Sequence, residues 1–291
     1  AKPSLVVVRT HIGYGSPKQD SPKAHGEPLG PEATRETKKR AGWPLEPPFH
    51  IPEEALKRFR QALEEGALRE GQWRAMFEDY RRSFPEEAGR FDLQFRSELP
   101  EGWDGDMPVF KSGDGPMATR AASGKVMNAL AERVPNLLGG SADLAASLKT
   151  LLAGRDDRNI HFGVREHAMG AIVNGMALFG GVIPYGSTFL VFSDYMRPPM
   201  RLAALMDIHS LFIYSHDSIA VGEDGPTHQP VEHLASLRAI PNMTVLRPAD
   251  ANETVAAWRV AISRPKPATL ILTRQKVPVL DVSAGAHAHP M

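Results

Sequence analysis

The sequence predicts an α/β protein in which a parallel sheet, covered by helices on both faces, follows a helical connecting segment. Between residues 116 and 281, short apolar runs alternate with helical stretches, as in βαβ units. Between residues 53 and 98, apolar residues recur instead at the helical period. Hydrophobic residues make up 42% of the 291, enough to fill a sizeable core.

The N-terminal part of the sequence has less regular patterns. Residues 5–9 form a β-branched run that predicts a short strand leading into a glycine-rich loop. Because the chain opens on this strand, we expect a further segment to precede it. Residues 16–48 are rich in Pro, Gly, Lys and Glu and predict an irregular surface connection.

Three helices are predicted next, at residues 53–65, 67–84 and 86–98. The second carries an aromatic stripe that includes Trp73 and Phe77, and its simplest interpretation is a packing surface. Residues 100–116 contain several glycines and predict a linker.

The remaining sequence predicts a sheet with its helices. Six strands are expected at residues 136–138, 159–162, 182–185, 210–214, 244–247 and 268–273. Helices are expected between them at residues 117–132, 166–180, 190–206, 230–238 and 250–263. Short apolar strands of this kind are typical of a parallel sheet that is buried on both faces. Parallel strands end at one edge, so polar segments that follow them should share one ligand-binding rim.

Composition narrows the classes of function. Lys and Arg (34) balance Asp and Glu (34), which argues against a nucleic-acid partner. The absence of cysteine excludes disulfides and thiolate metal sites and makes the cytoplasm the expected location. No apolar run approaches the roughly 20 residues of a membrane span.

Taken singly, the polar residues at the predicted rim have ordinary structural interpretations. A Glu at a helix start complements the helix dipole, and an isolated His is usually a core or surface residue. His216, Asp224 and His228 also invite a metal interpretation, but the regular ligand spacing is missing. We therefore predict no metal ligands in this chain.

Taken together, seven segments resemble the transketolase family in residues, order and spacing, from Ala1 to about Asp281. They are Gly13–Pro17, His25–Gly30, Gly139–Leu144, Phe162–His167, Ser187–Phe192, His216–Pro230 and Leu272–Gln275. The resemblance implies the pyrimidine domain of a thiamine-diphosphate-binding fold.

The resemblance also implies a cofactor site. Thiamine diphosphate loses its C2 proton to its own 4'-imino group, and this requires a carboxyl group at ring atom N1'. By resemblance, Glu166 is that carboxyl group. Phe189 and Phe192 resemble the aromatic residues that pack on the aminopyrimidine, although a core role remains open for either. Asp143 matches a position beside the cofactor.

The implied substrates are sugar phosphates. The family moves a two-carbon ketol unit from a ketose phosphate to an aldose phosphate. His25 and His228 match histidines near the reacting carbons, which makes them candidate catalytic residues, and Asp224 matches a residue that binds a substrate hydroxyl. The residues that match the phosphate-binding group are Arg120, Ser147, His216 and Arg274.

The sequence also departs from the family pattern. It lacks the Gly-Asp-Gly motif and downstream Asn that bind the diphosphate and its Mg²⁺, so the metal ligands are expected outside this chain. Asp114 lies in a Gly-Asp-Gly within the predicted linker, and we interpret that match as chance. The resemblance further implies a homodimer in the complete enzyme.

These observations divide the chain into four predicted parts. They are the end of a diphosphate-binding domain (1–30), a helical connection (31–115), a pyrimidine-binding domain (116–281) and an atypical tail (282–291).

Two alternatives stay open. Deoxyxylulose phosphate synthase and the β subunits of 2-oxo acid dehydrogenases share the later domain, but the segments at Asp143, His25 and Gly222–Pro230 favour transketolase. The other alternative is a non-catalytic fragment or binding module with inherited site residues. A reading frame that extends upstream into a Gly-Asp-Gly segment would favour the enzyme.

Overall fold

A computed structural model describes residues 4–281 and residue 283. Contacts within the chain separate two compact units, residues 1–79 and residues 80–291. Apart from Ser283, the predicted tail at 282–291 lies outside the described residues.

The first unit contains three helical elements and no described strand. They are α1 (Lys23–Gly26), α2 (Pro31–Arg40) and the beginning of α3 (Glu53–Ser83). The prediction of a strand at residues 5–9 was wrong, and Leu5 and Val6 are 90% and 79% exposed. A strand needs a hydrogen-bonded neighbour, and every strand in the described chain belongs to the sheet of the second unit.

Two helix predictions in this region need correction. Helix α2 lies inside the segment predicted to be irregular, where Pro31 occupies a first-turn position that suits proline. Helix α3 is continuous across Gly66, where the sequence suggested a break. A glycine in a helix costs only about 1 kcal/mol relative to alanine, which a long helix tolerates.

The second unit is built from seven further helices and six strands. The helices are α4 (Pro85–Phe95), α5 (Thr119–Arg133), α6 (Ala145–Leu148), α7 (Glu166–Phe179), α8 (Ser193–Met206), α9 (His233–Arg238) and α10 (Ala251–Ser263). The strands are β1 (Leu137–Ser141), β2 (Asn159–His161), β3 (Ile183–Phe189), β4 (Leu211–Ser215), β5 (Thr244–Leu246) and β6 (Ala268–Leu272). All are parallel, in the order β2-β1-β3-β4-β6-β5, so the predicted α/β class is confirmed.

Strands β1 and β3 run further toward the rim than predicted. Gly139 and Gly140 belong to β1 rather than to a loop. A Cβ atom on Gly140 would lie 1.7 Å from the carbonyl oxygen of Ile160 on the neighbouring strand. Glycine is therefore required there by the close approach of two backbones and does not mark a turn.

The core lies on both faces of the sheet. Alternate residues of β4 point to opposite sides: Leu211 and Ile213 join one cluster, while Phe212 and Tyr214 join the other. Helices α5 and α10 cover the first face, and α7 and α8 cover the second. The alternation follows from the two-residue period of a strand and buries the sheet on both sides.

The segment between α4 and α5 is held against the first face of the sheet. Trp103 and Met107 pack on the core, and the backbone N–H and carbonyl of Phe110 both bond the side-chain amide of Asn252, at 3.0 and 2.9 Å. The glycine-rich stretch predicted as a linker is thus attached to the sheet.

None of the helices in the described residues is both long and apolar enough to cross a membrane.

Candidate active site

The predicted polar segments meet at the carboxyl-terminal edge of the sheet. Two of their residues have left-handed backbone conformations, Asp143 after β1 with φ of 62° and His216 after β4 with φ of 62°. This region is uncommon for residues other than glycine, and such strain concentrates at ligand sites. The two left-handed residues therefore indicate a ligand site at this edge of the sheet.

Glu166 lies in a cavity of about 450 Å³ at this edge. It is the first residue of α7 and its side chain is largely buried, with the residue only 8% exposed. Among the described residues, none donates a hydrogen bond to its carboxylate. The other residues that line the cavity are Ala142, Asp143, Leu144, Val164, Phe192 and Tyr195.

The aromatic side chains form a continuous wall from this cavity. The rings of Phe189 and Phe192 are stacked, with centroids 5.9 Å apart and an angle of 16° between planes. Phe192 lines the cavity, whereas Phe189 is not part of the cavity lining. The ring centroids of Phe189 and His216 lie 3.7 Å apart. Tyr195 continues the wall 6.2 Å from Phe192.

Tyr214 lies near the Glu166 carboxylate on the buried side. Burial raises the pKa of its phenol well above the usual value, and the negative charge of Glu166 raises it further. Its hydroxyl donates to the sulfur of Met200 at 2.9 Å. Tyr214 thus stays neutral and adds no charge beside Glu166.

A cluster of charged residues forms a second part of the rim. Arg120, on α5, donates from Nη1 to the carbonyl of Ser147 at 2.6 Å, which brings these two predicted residues together. Arg274 Nε and His216 Nε2 each lie 3.8 Å from Asp224 Oδ2. Arg120 is part-buried, and Ser147 is exposed.

The electrostatics of this cluster favour an anionic ligand. Burial lowers the pKa of His216 to about 4, helped by the positive charges of Arg120 and Arg274 and opposed by Asp224. Burial and then the charge of Arg274 lower the pKa of Arg120 as well. His216 is therefore neutral near pH 7, and the two arginines supply the positive charge.

His228 connects the two parts of the rim. Its ring lies 5.4 Å from Phe192 and 6.1 Å from Phe189, edge-on to both. The hydroxyl of Thr227 lies 2.9 Å from its Nδ1. A histidine here borders both the Glu166 cavity and the charged cluster.

One predicted site residue, His25, belongs to the first unit. His25 is exposed and belongs to α1 of the first unit, so its role as a catalytic and substrate-binding residue stays a prediction.

Sequence reasoning overlooked several residues that shape the site. Tyr195 lines the cavity and lies three residues after Phe192, a helical spacing that could have predicted its place on the same side. Asp217 follows His216 directly and accepts two bonds from Arg247, at 2.7 and 3.0 Å. That ion pair joins positions 30 residues apart, and no local pattern announces it.

Two domains of one known family match parts of this chain. The pyrimidine-binding domain of transketolase matches residues 115–279, and the thiamine-diphosphate-binding domain of transketolase matches residues 1–100. The chain belongs to the transketolase family. The second match runs beyond the predicted boundary at residue 30, and the division into parts stays a prediction.

Curated relatives agree with the family matches. The chain is 52% identical to a transketolase of Aquifex aeolicus over 294 residues, covering 98% of this chain and 42% of that protein. It is 49% identical to the transketolase of Bacillus subtilis, covering 96% and 44% respectively. The chain thus spans less than half the length of these transketolases.

Solved structures share the fold as well. A transketolase of Pichia stipitis in complex with sedoheptulose-7-phosphate superimposes with a TM-score of 0.89 at 40% identity, covering 96% of this chain and 44% of that one. A transketolase from Leishmania mexicana gives a TM-score of 0.86 at 39% identity, with 95% and 43% covered.

Proposed function

We propose that this chain supplies the aminopyrimidine-binding part of a thiamine diphosphate site in a transketolase. The complete enzyme would transfer a two-carbon ketol unit from a ketose phosphate to an aldose phosphate. The observation that carries this proposal is Glu166, a residue only 8% exposed, which lines a cavity of about 450 Å³ and whose carboxylate has no hydrogen-bond partner among the described residues.

The residues present fit the aminopyrimidine half of the cofactor. When bound, thiamine diphosphate supplies a carbon nucleophile that protein side chains lack. Glu166 would hold a proton at ring atom N1', and its fixed position at the start of α7 orients it for that task. Phe192 offers an aromatic face to the ring, with Phe189 behind it, and Asp143 lies at the cavity wall.

The charged cluster would hold the phosphate end of the sugar. Arg120 and Arg274 present fork-shaped donors that match a phosphate. Neutral His216 and Ser147 add hydrogen-bonding groups, and Asp224 would accept from a substrate hydroxyl. The Pichia stipitis transketolases solved with sedoheptulose-7-phosphate and fructose-6-phosphate support this choice of substrates.

His228 borders both regions, as a proton-transferring group near the reacting carbons must. By resemblance, His25 is a further candidate for proton transfer.

A second candidate, a chain without activity of its own, is favoured by a specific observation. The chain covers 54% of a solved protein described as a split-gene transketolase in an inactive β4 tetramer, with a TM-score of 0.50 and 29% identity. We infer that this chain needs a diphosphate- and Mg²⁺-binding counterpart, in a cytoplasmic homodimer or a complex of separate chains.

A chimera tests the proposed function. Residues 1–281 would replace the matching segment of the Bacillus subtilis transketolase, which is 49% identical to the chain. We expect the purified chimera to transfer ketol units between sugar phosphates and to require thiamine diphosphate. A folded chimera that binds the cofactor yet transfers nothing would overturn the proposed activity.

A further inference from the structure

The beginnings of α8 and α9 bring together three residues that take no part in the proposed catalytic site. They are Asp194 on α8, Glu232 just before α9 and His233 at its first position. One carboxylate oxygen from each acid and one ring nitrogen of His233 all lie within 4.8 Å of one another. None of the three lines the Glu166 cavity.

The hydrogen-bonding state of His233 follows from its neighbours. Its Nε2 lies 3.2 Å from Asp194 Oδ2, and because a carboxylate can only accept, Nε2 carries the hydrogen of this bond. In the neutral imidazole, Nδ1 then holds a lone pair. This Nδ1 is buried and has no hydrogen-bond partner among the described residues.

An unpartnered buried nitrogen indicates a missing ligand. His233 is only 4% exposed, so water does not readily compensate its Nδ1, and such groups are normally satisfied in folded proteins. The nearest carboxylate oxygen is Glu232 Oε2, at 3.9 Å, too far for a hydrogen bond. A cation between the two atoms would satisfy both.

The spacing and chemistry suit a transition metal ion. Ligand atoms in a tetrahedral zinc site lie about 3.4 Å apart, so a small movement of the exposed Glu232 side chain closes the gap. An imidazole nitrogen with a carboxylate oxygen favours Zn²⁺ over Mg²⁺ or Ca²⁺, which prefer oxygen alone. A carboxylate that accepts from the other ring nitrogen, as Asp194 does, is the usual support for a metal-binding histidine.

The surrounding contacts make the site rigid. Arg197 on α8 donates to the hydroxyl and the carbonyl of Ser236 on α9, at 2.7 and 2.8 Å. Arg197 lies about one helical turn after Asp194, and its bonds to Ser236 hold the two helices side by side. Metal binding therefore needs little further ordering of the two helices.

We propose that Glu232 and His233 Nδ1 bind a Zn²⁺ ion, oriented by Asp194, with water completing the coordination. The ion would lie at the start of α9, where Asp194 of α8 fixes the His233 ring. Because the bond from His233 to Asp194 exists only in the folded chain, zinc should bind the folded chain more tightly than the unfolded one and stabilise the fold.

The test uses the untagged chain with His287 and His289 replaced by asparagine throughout, since a His-Ala-His sequence can itself bind zinc. Zn²⁺ is titrated at pH 7.5 against a chromophoric chelator, and the thermal midpoint is measured with and without the metal. We expect one ion per chain and a raised midpoint. Glu232→Gln should lower the affinity at least tenfold, and Asp194→Asn about 10- to 100-fold, as for other carboxylates that accept a hydrogen bond from a metal-binding histidine.

Asp157→Asn, at an exposed carboxylate elsewhere, is the matched control and should bind zinc like the parent. Glu232 is 73% exposed at its side chain, so its variant should fold normally, which circular dichroism checks. No zinc binding by the parent, or unchanged binding by Glu232→Gln, would overturn the proposal. Equal stabilisation by Mg²⁺ would overturn the assignment to a transition metal.

Discussion

The Glu166 cavity and the charged cluster lie on one rim but hold their polar groups in opposite ways. In the cavity the Glu166 carboxylate stands among mostly apolar walls, with Asp143 as the other acidic residue of the lining, and it accepts no hydrogen bond within the described chain. In the cluster, burial lowers the pKa of both Arg120 and His216, and the charge of Arg274 lowers these two pKa values further while that of Asp224 raises them. The first arrangement suits control of one proton, and the second suits binding of a charged group.

The largest expected effect concerns the Glu166 cavity in the isolated chain. The chain by itself, with thiamine diphosphate and Mg²⁺, should show no transketolase activity, because the cavity lining offers apolar contact and the carboxyl groups of Asp143 and Glu166 but, among the described residues, no cation to clamp the diphosphate. Calorimetry with and without Mg²⁺ measures the binding, which should be weak. Tight, Mg²⁺-dependent binding at 1:1 stoichiometry would contradict this prediction, and a supplied diphosphate-binding domain should restore binding.

The next effect isolates the carboxylate. In the chimera, Glu166→Gln should slow exchange of the cofactor C2 proton by about 10²–10⁴-fold, because an amide does not support the proton shift at N1'. Exchange into D₂O, followed by NMR, measures this step directly. Glu253→Gln, outside the rim, is the control, and an unchanged exchange rate in Glu166→Gln would remove Glu166 from its proposed role.

Substitutions in the charged cluster should change the KM for phosphorylated substrates. Arg120→Ala or Arg274→Ala should each raise the KM for a ketose phosphate about 10- to 150-fold, the equivalent of roughly 1.5–3 kcal/mol for a charge-assisted bond. The KM for hydroxypyruvate, which has no phosphate, should change much less. Arg133→Ala, at an exposed ion pair with Asp106, provides the control. Equal losses with both substrates would mean that the arginines support the fold.

The smallest effect concerns pH. The pKa of His216 is about 4 in the folded chain and about 6.5 when unfolded, so only the unfolded chain takes up this proton between those values. His216 therefore makes the chain less stable as the pH falls from 6.5 toward 4. His216→Gln should give a shallower dependence of the unfolding free energy on pH, measured by urea titration from pH 7.5 to 4.5. His161→Gln, at an exposed histidine, is the control; identical slopes for His216→Gln and the parent would contradict the prediction.

Sequence reasoning was most accurate where a structural cause is local. All six strands of the sheet and the five longer helices around them were predicted, because the two-residue and 3.6-residue periods are set by neighbouring residues; the four-residue helix α6 was not predicted. It was least accurate at residues 5–9 and at Gly66. A strand depends on a distant partner, and one glycine does not decide whether a helix continues.

The same distinction holds for the candidate site. The sequence by itself determined the segments of the rim, because polar runs after parallel strands must meet at one edge, and their resemblance to transketolase named the residues. Tertiary structure alone decided that Phe192 rather than Phe189 lines the cavity, and that the Arg120 guanidinium meets the Ser147 carbonyl. It also decided that His233 has, among the described residues, no hydrogen-bond partner for its Nδ1, which lies near Glu232. These facts depend on which elements pack side by side, and packing joins residues that lie far apart along the chain.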